Sequence, residues 1–252
     1  MKGGQVTVFV IVGILLVAAV IAFFVVYQNR AVISSFGEEF DPESFVSKCV
    51  RDSVREKIDI MMPQGGFLSP TDYKVFDDSN VAYICKTINY YEPCVAQYPR
   101  YITRVQEELE SGIEDDVGNC FILLEDELEK RNYDVQAGGL FDIKVVLKPE
   151  IVDIVVSRNL QLSGGDFSRD FNSFRSSIRS PLYDLGYVAN EIARQEAKYC
   201  YFEYLGYSLI YNNFDIRKYS LSDSTKIYTV EHKPSGETMN IAIRGCAIPP
   251  GF

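Results

Sequence analysis

Between Gln5 and Asn29 the chain carries no charged side chain, and Val8 to Tyr27 is apolar throughout except for Gly13. As a helix rising 1.5 Å per residue, residues 5–29 reach roughly 37 Å, enough for a hydrocarbon core of about 30 Å. A cleaved secretory signal would have a shorter apolar core and a small-x-small site at its end. This run closes instead on Tyr27-Gln28-Asn29-Arg30, an aromatic ring at headgroup depth followed by the first charge. The pattern predicts a transmembrane anchor with a stem helix to about residue 36. Lys2 and Arg30 compete over its orientation, because the acidic residues beyond them carry little topogenic weight.

Beyond Gly37 the apolar positions change to amphipathic periods. Asp41-Pro42-Glu43 is a helix start, and Val46, Val50, Val54 and Ile58 repeat every four residues. Pro63-Gln64-Gly65-Gly66 ends that helix. Phe67 to Phe76 and Val81 to Ile88 are expected strands about the Asp77-Asp78-Ser79-Asn80 turn. From Pro99 to about Asn132, Ile102, Val105, Leu109, Ile113, Val117, Cys120, Leu124 and Leu128 stripe a long helix, with Gly112 and Gly118 as points of division. Phe141 to Leu147 and Ile151 to Val156 form an expected hairpin about Lys148-Pro149-Glu150. Ser163-Gly164-Gly165-Asp166 opens a helical region that Pro181 interrupts, with Leu182, Leu185, Ala189, Ile192 and Tyr199 striping its second half. Lys226 to His232 and Thr238 to Ile243 form a last hairpin. Strand pairs set between long helices predict an α+β fold, an N-terminal transmembrane helix plus an ectodomain of long helices packed on a mostly antiparallel sheet. The expected organisation is a leader 1–4, a transmembrane and stem helix 5–36, and a domain 37–252.

Six cysteines bear on compartment. They include no C-x-x-C pair, which argues against zinc and thioredoxin-type chemistry. Six half-cystines allow 15 pairings, and the sequence does not choose among them. The expected pairing is Cys85–Cys94, Cys49–Cys120 and Cys200–Cys246; buried free thiols in a cytosolic domain are the alternative. Oxidised pairs imply an extracytoplasmic domain with Lys2 left inside. No N-x-[ST] sequon occurs. The chain carries a net charge of −10, and removing Lys2 and Arg30 leaves 23 basic against 35 acidic residues, a net of −12. Such a domain suits neither nucleic acid nor anionic lipid.

Candidate chemistry is sparse. His232, the only histidine, lies beside a turn, where a solvated side chain is the ordinary expectation. A nucleotide-binding glycine loop and a nucleophile-elbow motif are both missing from the sequence. The acidic residues between Glu107 and Glu129 suggest a solvated helix face before they suggest a cation site or a hydrolase's carboxylate pair. No catalytic, cofactor or metal residue is assigned, and the expectation is a non-enzyme. Tyrosines cluster near 83–101 and 199–211, where core packing competes with an interface role. Tyr90, Tyr91, Tyr98, Tyr204 and Tyr207 are the interface candidates.

Lys2-Gly3-Gly4-Gln5-Val6-Thr7-Val8-Phe9 running into an apolar helix resembles the class III signal peptides of archaeal type IV pilin-like proteins. The resemblance implies cytoplasmic-side cleavage between Gly4 and Gln5, with the apolar helix retained. Phe9 stands where such pilins usually carry a glutamate that helps pair subunits. Phe45-Val46-Ser47-Lys48-Cys49, Gln64-Gly65-Gly66-Phe67, Tyr83-Ile84-Cys85, Gln97-Tyr98-Pro99 and the terminal 242–252 segment resemble a group of single-span surface proteins from small-celled archaea, which brings no activity with it. The expected function is a membrane-anchored surface protein, pilin-like, in a filament or envelope assembly. Its partners would be the bilayer through residues 5–29 and other surface proteins, itself included. The alternative is a monomeric single-pass adhesin or receptor for a protein or glycan; an extracellular carboxylate hydrolase ranks behind both.

Overall fold

The computed structural model describes residues 40–89, 91–164 and 167–246, together with Val20. The apolar run, the Gly4–Gln5 bond, Tyr90 and residues 247–252 lie outside the described residues, and the anchor and leader expectations fall there. Among the described residues no helix is long and apolar enough to cross a membrane. The chain divides into a unit Met1–Pro42 and a unit Glu43–Phe252. The second unit carries two sheets and the helices packed on them.

Helix α1, Pro42–Met61, buries Val46, Val50, Val54 and Ile58. A short 3-10 turn, Met62–Gln64, then ends at Gly65 and Gly66, whose φ values are +73° and +82°. A Cβ on Gly66 would stand 2.6 Å from the Val105 side chain, so both backbone angle and space call for glycine there. Strands β1, Tyr73–Phe76, and β2, Ser79–Lys86, are joined by Asp77 and Asp78 with φ of 47° and 59°. Two left-handed residues make the turn whose twist suits a hairpin. Strand β3 is Val95–Ala96.

The expected 99–132 helix is two helices, α2, Tyr101–Gly112, and α3, Glu114–Lys130, divided at Ile113. Next come β4, Asp134–Ala137, β5, Asp142–Lys148, β6, Ile151–Gly164, and β7, Phe167–Arg179. The helix predicted to open at Ser163 is replaced by a long β6–β7 hairpin. Phe171, Phe174 and Ile178 are all buried, and their spacing of three and four mimics a helix. A register shift opposite Ser157–Leu160 interrupts the period-two alternation and puts the aromatics on one face. The second half of that region is helical, as α4, Leu182–Tyr199. Then come α5, Tyr204–Ile210, and strands β8, Phe214–Ser220, β9, Thr225–His232, and β10, Glu237–Arg244.

One sheet runs β1-β2-β10-β9-β8, with β3 also on β2, and its only parallel pair among the described strands is β2 with β10. The other centres on β6, which takes β7 along one edge and β5 then β4 along the other. Helices packed on mostly antiparallel strands make this an α+β domain. Helix α4 touches β2, β3, β9 and β10 of the first sheet and β5 and β6 of the second. Leu182, Leu185, Val188, Ala189, Ile192 and Ala193 are all buried on it, a width of apolar surface that suits a helix covered on more than one side.

Candidate interface around the Cys200–Cys246 disulfide

Three disulfides are present: Cys49–Cys120, Cys85–Cys94 and Cys200–Cys246, the same pairs expected from the sequence. They join α1 to α3, β2 to the loop before β3, and the end of α4 to the end of β10. Such a set belongs to a domain that matures in an oxidising, extracytoplasmic compartment.

Helix α4 stops at Cys200, which adopts φ 60° and returns its N–H to the Glu196 carbonyl at 3.0 Å. Inside this corner Glu196 is 1% exposed. Tyr228 Oη donates to its Oε1 and Lys226 Nζ to its Oε2, each at 2.5 Å. Lys226 also donates to the Cys200 carbonyl at 3.1 Å. Burial, with the Glu196 carboxylate beside it, pushes the Tyr228 phenol far above its ordinary value. The network is internally matched, and it clamps the α4 terminus to β9.

The chain leaves that clamp as Tyr201-Phe202-Glu203. Phe202 is buried, packing on Tyr207 at 5.4 Å and edge-on to Tyr228 at 6.0 Å. Glu203 caps α5 by accepting the Gly206 N–H at 3.2 Å and also takes the Tyr201 hydroxyl proton in a hydrogen bond. That bond holds the Glu203 carboxyl below its ordinary value and raises the Tyr201 phenol. Helix α5 itself buries no residue. Leu205, Leu209 and Ile210 are 61%, 83% and 76% exposed. Around them lie Tyr207, 4.5 Å from the Tyr211 ring, and Lys218, about 5.5 Å from the Tyr201 and Tyr204 rings. Partial burial, then the neighbouring Tyr211, push the Tyr207 phenol up to about 12. The face is aliphatic at its centre and tyrosine-rich at its margin.

Of the predicted interface residues, Tyr204 and Tyr207 are therefore brought together. Tyr91 is exposed on a loop whose Glu92 carbonyl accepts the Cys246 N–H at 2.9 Å, so the disulfide links this loop to Tyr199 and Tyr201. Tyr98 belongs elsewhere, its ring tilted against Phe67 with centroids 4.7 Å apart and beside Arg104, and burial raises its phenol. Tyr90 is outside the described residues. Leu205, Leu209 and Ile210 are absent from the sequence prediction, since a short apolar run is ordinarily core and only its exposure marks it.

Two further expectations change. His232 is 6% exposed, held through Nδ1 to Ser235 Oγ at 2.9 Å and lying 5.7 Å from the Phe214 ring, so it is not a solvated turn residue. The acidic stretch is not simply a solvated face. Glu110 accepts the Val145 N–H, Glu108 the Leu68 N–H, and Glu125 and Asp116 pair with Arg158 and Lys57. Among the described residues no three His, Cys, Asp or Glu side chains are grouped to hold a metal ion. No protein-family model matches the chain, and neither curated proteins nor solved structures yield a match.

Proposed function

We propose that this chain is a membrane-anchored, extracytoplasmic surface protein, a pilin-like subunit of a filament or envelope assembly, and an interaction protein, not an enzyme. Residues 5–29 would lie in the bilayer after cleavage between Gly4 and Gln5, leaving the disulfide-tied domain outside. The observation that carries the reading is the exposed Leu205-Leu209-Ile210 face with its tyrosine margin. Apolar patches rimmed by polar and aromatic groups are what protein contacts use. The acidic surface elsewhere disfavours nucleic acid and anionic lipid as alternatives.

The test is a photo-crosslinker at position 209 of the full chain in native membranes. A covalent adduct to a second copy or to another surface protein is expected, together with a mature chain starting at Gln5 by mass spectrometry. Adducts to lipid alone, or an intact Met1 throughout the membrane fraction, overturn the assembly reading. A monomeric adhesin is the second reading, and a polar cleft beside His232 favours it.

A further inference from the structure

On another part of the domain a cleft of about 550 Å³ opens among α1, the β5–β6 turn, the β7–α4 joint and the β9–β10 turn. Its polar walls are Arg55, Glu150, Arg179, His232, Ser235 and Glu237. The volume is within the usual small-ligand range of about 300–1,000 Å³.

Charge inside it is divided unevenly. Arg55 Nη1 pairs with Glu237 Oε1 at 3.0 Å, and its Nη2 donates to the Arg179 carbonyl at 2.5 Å, so these two charges are spent on each other. The exposed Arg179 guanidinium has no ion-pair partner among the described residues, and the same is true of the Glu150 carboxylate. Both are carried on fixed backbone. Ile151 and Arg179 are register partners, the Ser180 N–H bonds the Glu150 carbonyl at 3.0 Å, and the Glu150 N–H bonds Asp184 Oδ2 at 2.8 Å. His232 and Ser235 are fixed by their mutual hydrogen bond.

An uncommitted guanidinium fork matches a carboxylate bidentately. Glu150, on the β5–β6 turn next to the end of β7, accepts hydroxyl protons, whereas the Ser235 hydroxyl is already shared with His232 and the Glu237 N–H. We infer that this cleft binds an acidic sugar, one carboxylate on Arg179 with ring hydroxyls on Glu150. The inference is independent of the assembly reading and would stand if that reading failed.

The sole histidine supplies the reporter. Full chain carrying isotope-labelled histidine, in detergent micelles at fixed pH, gives one imidazole signal to follow by NMR. Glucuronate is the probe, with glucose and acetate as the partial ligands. A saturable shift is expected with glucuronate, at affinity at least about tenfold above either partial ligand, because each lacks one half of the charged and hydroxyl contacts. Arg179→Ala should weaken glucuronate by about tenfold or more while its ligand-free His232 signal stays in place, reporting the fold. Absence of a saturable shift by about 50 mM glucuronate, parity with glucose or acetate, or unchanged affinity in Arg179→Ala overturns the assignment.

Discussion

Glu196 and Asp223 are both paired carboxylates, yet they differ in what their loss should cost. Glu196 is buried with a lysine and a phenol on its two oxygens. Glu196→Ala leaves the Lys226 ammonium without its counter-charge and should destabilise the domain by about 3 kcal/mol, read by denaturant unfolding. Asp223 is nearer the surface, 2.7 Å from Lys74 Nζ. Burial would raise its carboxyl, but hydrogen bonds from Lys74 and Thr225 outweigh that and lower it below its ordinary 3.8. The same pairing raises the Lys74 ammonium above 10.5. A lowered acid contributes stability above its unfolded pKa and loses it as pH falls through the folded one. A raised base contributes below its unfolded pKa and loses it as pH climbs through the folded one. Asp223→Asn should therefore cost about 0.5 kcal/mol between pH 5 and 9, a penalty that disappears in acid below the carboxyl's lowered pKa. Urea midpoints across pH would read it, and a penalty that persisted at low pH would contradict the pairing.

Elements show where surface and core separate. Substituting Leu209→Ser on α5 removes exposed apolar area only, so stability should change by less than about 0.5 kcal/mol while crosslinking to neighbours from a photo-reactive residue at position 205 is lost. A large drop in melting temperature would instead mean that α5 packs inward. Gly66→Ala is the opposite case. It sets a Cβ against Val105 at a φ of +82°, and should destabilise by about 1–3 kcal/mol in equilibrium unfolding. The strongly periodic helices α1 and α4 and the hairpins closed by defined turns, Asp77-Asp78 and Pro149-Glu150, were legible in the sequence because local chemistry and burial agree there. The β7 strand was not, since Phe171, Phe174 and Ile178 satisfy helical spacing while the irregular register beside β6 decides otherwise. Strands β4 and β8 form by pairing with long partners, information that no local window holds.

At the scale of the molecule, the disulfides tie segments far apart in the chain, with separations of 71, 9 and 46 residues. On the chain-entropy estimate the Cys49–Cys120 link contributes about 4 kcal/mol and the short Cys85–Cys94 link about 3. Replacing Cys49 and Cys120 together by serine should lower unfolding free energy by that larger amount, and reductant should then change the variant less than the parent chain. Equal sensitivity to reductant in both would show that α1 is held by packing alone.

Sequence by itself determined the apolar N-terminal run, the acidic balance, the count of cysteines and the main helices, because each depends on composition or on a period visible within one segment. Tertiary structure decided that the tyrosines near residue 200 frame an exposed aliphatic helix, and that the lone histidine is enclosed beside Phe214. It also placed Arg179, at the end of β7, and Glu150, on the β5–β6 turn, at one cleft. Such facts depend on which distant strands pair and what they cover, and a linear pattern carries neither the pairing nor the cover.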